Sequence, residues 1–248
     1  MSTLILALAA GAVIGLALGA LGGGGGVLAV PALIYLLGFT PAAATTASMI
    51  IVTATSATAL YAHATSGNVR WKTGALFAAV GIPPAIAAAA LASRVPEALL
   101  TAAFAAIALL AALALFKAPP PDRQPRAVRP VRAAGAGAGL GAVTGFLGVG
   151  GGFLAVPALV SVLGLRMRAA VGTSLLVITV NSLAALVARA GTHTPLNWAV
   201  IAPFTGAAIL GAWDGKHLAA KISGPALQRA FASVLLTVAA LMVTDALH

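Results

Sequence analysis

The chain has 248 residues, 61% of them hydrophobic and only 7% charged. A soluble domain carries about 25% charged residues, so this composition excludes a water-clothed globule and points to an all-α polytopic membrane protein in a lipid bilayer. Fourteen Lys and Arg against four acids give a formal charge of +10, but the cations sit in short spacers between apolar runs, as topology signals and not as a nucleic-acid surface.

In chain order the apolar runs of the first half cover 4–21, 27–37, 43–62, 74–92 and 98–116. The opening Met1-Ser2-Thr3-Leu4 has no basic n-region, so a cleaved signal peptide is not expected. A Pro/Arg-rich spacer occupies 117–132, and the pattern then restarts with runs at 133–147, 153–163, 169–188, 198–213 and 226–247. A bilayer core of about 30 Å needs about 20 helical residues. Three runs in each half are counted as full spans. The runs opening at Val27 and Phe153 are about half that length and form half-helices.

The halves are copies. With Pro31 laid on Pro157, residues 11–38 match 137–164 at 17 of 28 positions. Leu-Gly-x-Gly-Gly-Gly-x-Leu-Ala-Val-Pro-Ala-Leu opens at Leu21 and again at Leu147. The expected organisation is therefore repeat one over 1–116, a linker over 117–132 and repeat two over 133–248. Five cations in the linker (Lys117, Arg123, Arg126, Arg129 and Arg132) place it in the cytoplasm. Counting outward puts Arg94 outside and its counterpart Lys221 inside. Equivalent turns with opposite charge bias mark inverted repeats, each with three full spans and a Gly-broken hairpin, and both termini outside. Arg189, near the His193 turn, runs against this scheme.

The glycine strings are the chemical focus. Gly22, Gly23, Gly24, Gly25 and Gly26 lie between a long run and a half-length one, and so do Gly148, Gly150, Gly151 and Gly152. Glycine costs about 1 kcal/mol per residue in a helix relative to Ala, so the helix breaks there. Broken backbone within a membrane is tolerated where protein or a water-filled cavity satisfies it. The half-helix beyond would then present free N–H groups and a positive dipole end to an anion. Close helix packing by small residues is the competing reading. Pro31 and Pro157 follow each string, either as kinks that free a carbonyl or as repaired ones.

Hydroxyls open the next span in each half: Thr45, Thr46 and Ser48, then Thr173 and Ser174. They either line an anion cavity or back-bond to their own helix. Asn181, further in, favours a polar cavity. His63 and Asp214 are candidate proton-coupling groups, with Asp214 and Lys216 as an interfacial pair the alternative. Cysteine is absent, which removes disulfides, thiolate chemistry and Cys-ligated zinc. No enzyme motif is present, and no cofactor or metal is expected. Without an ATP-binding motif, transport must be secondary or channel-like.

These residues resemble a known family. Gly-x-Gly-Gly-Gly-x-Leu-x-Val-Pro in both halves, Ala-x-Gly-Thr-Ser at 170–174 and Gly-Asn-Val-x-Trp at 67–71 are similar to the sulfite exporter TauE/SafE family of membrane permeases. The resemblance covers nearly the whole chain. It implies export of sulfur-containing anions, such as sulfite or organosulfonates, across a bacterial inner membrane. Thr45-Thr46-Ala47-Ser48 departs from Val171-Gly172-Thr173-Ser174 at the glycine. A carrier of carboxylates or other oxyanions, an importer, a membrane enzyme and a structural module are the other readings, and the oligomeric state, a homodimer among the choices, stays open.

Overall fold

A computed structural model describes residues 2–92, 96–117, 130–147, 152–188 and 196–246. Among these the chain is helical throughout. The first half contains α1 (Ser2–Leu21), α2 (Gly24–Pro31), α3 (Pro41–Ala64), α4 (Trp71–Ala92) and α5 (Glu97–Lys117). The second contains α6 (Pro130–Leu147), α7 (Gly152–Pro157), α8 (Met167–Ala188), α9 (Trp198–Lys221) and α10 (Gly224–Ala246). Most of the linker, at 118–129, lies outside the described residues, as do Arg94, Arg189, His193 and His248.

Side chains such as Ile5, Val13, Ile86, Leu110, Val187 and Leu210 stand exposed along these helices. Apolar surface on this scale marks contact with a membrane or a partner. Among the described residues three helices are long and apolar enough to cross a bilayer: Thr3–Leu21, Ala43–Ala64 and Met167–Val187.

Short-range chemistry sets the element ends. Gly38 and Gly164 hold φ of +68° and +67°, and each closes its helix in the same way. Gly38 N–H donates to Ile34 O and Phe39 N–H to Leu33 O, while Gly164 N–H donates to Val160 O and Leu165 N–H to Leu159 O. These positive-φ closures satisfy the last carbonyls of the helix. Thr40 then caps α3, its Oγ1 accepting from Ala43 N–H, with Pro41 at the first helical position, where a missing N–H costs nothing.

Both prolines act alike. Pro31 and Pro157 each pass into a π-helical turn, Ala32–Leu36 and Ala158–Val162. Proline has no N–H to give the regular ladder. The Ala32 amide shares Leu28 O and Ala29 O, and the π turn begins there. Each half therefore follows its proline with a π turn.

The closest helix pairs join one half to the other. α1 packs most extensively on α9, and α4 on α6. A Cβ built on Gly11, Gly15 or Gly19 would lie 2.4, 2.0 and 2.0 Å from the carbonyl oxygens of Phe204, Ala208 and Ala212, so α1 and α9 run parallel in backbone contact. Gly137 and Gly141 meet Phe77 O and Gly81 O at 2.5 and 2.0 Å in the same sense. α3 crosses α8 in the opposite direction, Ser56 meeting Thr179 and the Asn68 turn meeting Gly172. α5 packs chiefly on α10, where the buried Gln228 donates to Leu115 O.

Candidate functional site

The first glycine string is less open than its composition suggests. α1 ends at Leu21, and helix resumes at Gly24. The break is thus Gly22 and Gly23, while Gly24, Gly25 and Gly26 form the first turn of α2. Packing overrides the poor intrinsic propensity of glycine here. Gly22 takes φ +74°, its N–H still bonded to Leu18 O at 2.8 Å. The first amides of α2 have no acceptor within their own helix, and they begin directly at this break.

The end of α1 reaches the end of α3, since His63 Nε2 lies 3.0 Å from Gly19 O. The segment from Gly24 to Leu36 therefore runs back toward the start of α3, the return leg of a hairpin about 20 Å long.

Gly22 faces the second half of the chain. A Cβ there would meet Ser174 Oγ at 2.5 Å, Val156 Cγ2 at 3.1 Å and Val171 Cα at 3.4 Å. The fold thus brings Gly22 and Ser174 together, seven residues or about 10 Å into α8, while Thr173 faces the Arg70 turn and Gly74 of α4. Thr173 is buried and its Oγ1 accepts from Arg70 N–H at 3.1 Å, which ties the 68–71 turn to α8. Gly172 packs on Asn68, where a Cβ would lie 2.6 Å from the Asn68 carbonyl oxygen. That contact explains a glycine in the Ala-x-Gly-Thr-Ser segment.

The serine hydroxyls are turned to their own helices. Ser174 Oγ donates to Val171 O and Ser48 Oγ to Thr45 O, both at 2.8 Å. A hydroxyl has a single proton, so in this conformation each serine offers an incoming group only its lone pairs. Ser48 is buried on α3 at the position equivalent to Ser174, away from Gly22. Asn181 lies two turns beyond Ser174 on the same stripe of α8, and its Oδ1 is buried with no hydrogen-bond partner. Asp214 is exposed on α9 and Lys216 half-buried, and residues two apart on a helix do not face each other. Gly148, Gly150 and Gly151 lie outside the described residues, and Gly152 opens α7.

One polar cluster was not anticipated. At the α3–α8 crossing Thr179 Oγ1 lies 3.0 Å from Ser56 Oγ, with Thr55, Ser56 and Ser182 buried around the middle of both helices. Thr53 and Thr179, equivalent across the halves, each donate to the carbonyl four residues back. The signal lay in the Thr53-Ala-Thr-Ser stretch of an otherwise apolar run.

A hairpin with a broken helix, buried among apolar helices and met by polar groups of the other half, is the build of a multi-pass membrane transporter. The chain belongs to the sulfite exporter TauE/SafE family, whose model matches residues 7–242. It is 33% identical over 245 residues to a probable membrane transporter protein of Xylella fastidiosa strain 9a5c, covering 96% of this chain and 94% of the relative. A protein of the same description from strain Temecula1 is 32% identical over the same share of both chains. No solved structure matches. Family membership makes this a membrane transporter and not an enzyme.

Proposed function

We propose that the protein is a secondary exporter of small sulfur-containing anions, such as sulfite or organosulfonates, held between the glycine breaks of two inverted repeats. The observation that carries this reading is the buried junction of Gly22 with Ser174, where a helix break in one half abuts the other half. Backbone amides at the start of α2 supply donors and about half a positive charge. No buried Lys or Arg is then needed, and a fixed charge within a membrane is costly.

Support for inversion comes from α3 and α8, which occupy equivalent places in the two copies and run antiparallel through Ser56 and Thr179. A symmetry axis lying in the membrane plane relates equivalent helices in that sense. The identical closures at Gly38 and Gly164 support the repeat itself. In this scheme each half has three full spans and the hairpin, the 117–132 linker is cytoplasmic, and both termini face outward. Reporter fusions at His248 should be active only outside, and fusions in the linker only inside. A His248 fusion active in the cytoplasm refutes the inverted arrangement.

Purified protein is expected to gain thermal stability with sulfite, sulfate, thiosulfate or sulfoacetate, and to catalyse counterflow of at least one of them in liposomes. Silence to all four while a dicarboxylate stabilises and exchanges would move the substrate to carboxylates. Silence to every anion would overturn the transport site at Gly22.

A further inference from the structure

Among the described residues, His63 is the fully buried ionisable side chain, 4% exposed. Its Nε2 stands 3.0 Å from the Gly19 carbonyl oxygen, a contact that requires the proton on Nε2. The neutral ring then carries its lone pair on Nδ1, and Nδ1 is buried with no hydrogen-bond partner. A buried polar atom without a partner is costly. The orphaned lone pair lies beside the last turn of α1, and Gly22 follows Gly19 by three residues.

We propose that His63 Nδ1 is the proton-binding site of this transporter, loaded together with the anion at the Gly22 break. The inference rests on the anion reading of that break. A proton adds to the Nδ1 lone pair and yields the imidazolium, while Nε2–H keeps its bond to Gly19 O. No other bond changes. The positive ring sits against the carbonyl end of α1, where a helix favours a cation, and the amide end of α2 across the break favours an anion. Each charge therefore strengthens binding of the other, and such coupling is reciprocal.

α1 and α2 contain no ionisable side chain. Arg168 of α8 is exposed and donates to Ala220 O and Ile222 O of α9 and the turn after it. Lys216 of α9 is a like charge that repels the imidazolium, so the anion at the break must offset it, while Asp214 and His217 of α9 are exposed, as are Tyr35 before the α3 cap and Tyr61 on α3 itself. Thr65, Ser66 and Gly67, immediately after α3, are also exposed, so the ring lies within one helical turn of the protein surface.

The test combines ring titration with flux. The protein has four histidines, so the His63 signal in ring-labelled protein is assigned by its loss in His63→Gln, whose amide keeps a donor to Gly19 O. His63→Asn provides the assignment if the Gln variant does not fold. The His63 ring is expected to take up a proton as the pH falls, and its midpoint to rise when sulfate or sulfoacetate is added. Wild-type protein should accumulate the anion in vesicles with an alkaline interior. Counterflow by His63→Gln should lose its dependence on pH, and its pH-driven accumulation should fall about tenfold or more. A ring that stays neutral from pH 5 to 8 with anion present overturns the proposal, as does undiminished pH-driven accumulation by His63→Gln. Titration of the ring in protein that binds none of the anions upholds the proton site and removes the anion reading instead.

Discussion

Replacing Gly22 with Ala is expected to cut anion flux about tenfold or more, while Gly38→Ala stays within about twofold of the parent. Both glycines hold a left-handed conformation, φ +74° and +68°, so both substitutions incur the same backbone cost, about 1–2 kcal/mol. They differ in surroundings. Nothing lies within 4 Å of a Cβ built on Gly38, whereas one on Gly22 comes within 2.5 Å of Ser174 Oγ. The hydroxyl can rotate aside only by giving up its bond to Val171 O, and the methyl then occupies the junction where the first amides of α2 begin. Melting temperature and flux are measured on one purified sample. Equal losses of melting temperature with flux lost only in Gly22→Ala would locate transport at the break. Unimpaired flux in a well-folded Gly22→Ala would remove the break from the transport path.

Much of this was legible in the sequence because membrane physics acts locally. Composition identified the bilayer, and the first Gly-rich block marked the place where α1 stops. The break came out shorter than composition suggested. Gly24, Gly25 and Gly26 join α2 because the hairpin is packed between α1, α3 and the second half, and no single-residue propensity reports that. The prolines pointed to kinks, but the π turns after Pro31 and Pro157 depend on which carbonyls the next amides can reach. Hydroxyls that invited an anion, Ser48 and Ser174, are bonded to their own backbones. Pairing was the least legible feature. Gly11, Gly15 and Gly19 recur every four residues, as do Gly137 with Gly141 and Gly211 with Gly215. That spacing announces a close helix contact, but the identity of the partner is a long-range fact. The tightest contacts join α1 to α9 and α6 to α4, so each half is stabilised mainly by the other.

That exchange of helices predicts the largest effect on stability, and α6 contains its own control. Gly135, Gly137, Gly139 and Gly141 alternate along one helix, yet only two of them touch α4. A Cβ on Gly141 would lie 2.0 Å from Gly81 O and 2.7 Å from Gly81 Cα, and one on Gly137 2.5 Å from Phe77 O. Nothing lies within 4 Å of a Cβ on Gly135 or Gly139. Glycine within a helix is normally worse than Ala by about 0.5–1 kcal/mol, so Gly139→Ala should raise the melting temperature or leave it unchanged. Gly141→Ala meets a backbone that no rotamer can move, and the helices must separate, which costs about 1–3 kcal/mol or more. Gly15→Ala on α1, 2.0 Å from Ala208 O, should behave like Gly141→Ala. Gly206→Ala on α9, with nothing within 4 Å, should behave like Gly139→Ala. Thermal unfolding of the solubilised protein ranks the four. If Gly141→Ala proved as stable as Gly139→Ala, α4 and α6 would not be in backbone contact. Because α4 and α6 belong to different halves, a fall in stability with Gly141→Ala also means that contact between the halves stabilises the fold. Separately expressed halves should then regain folded protein only when both are present.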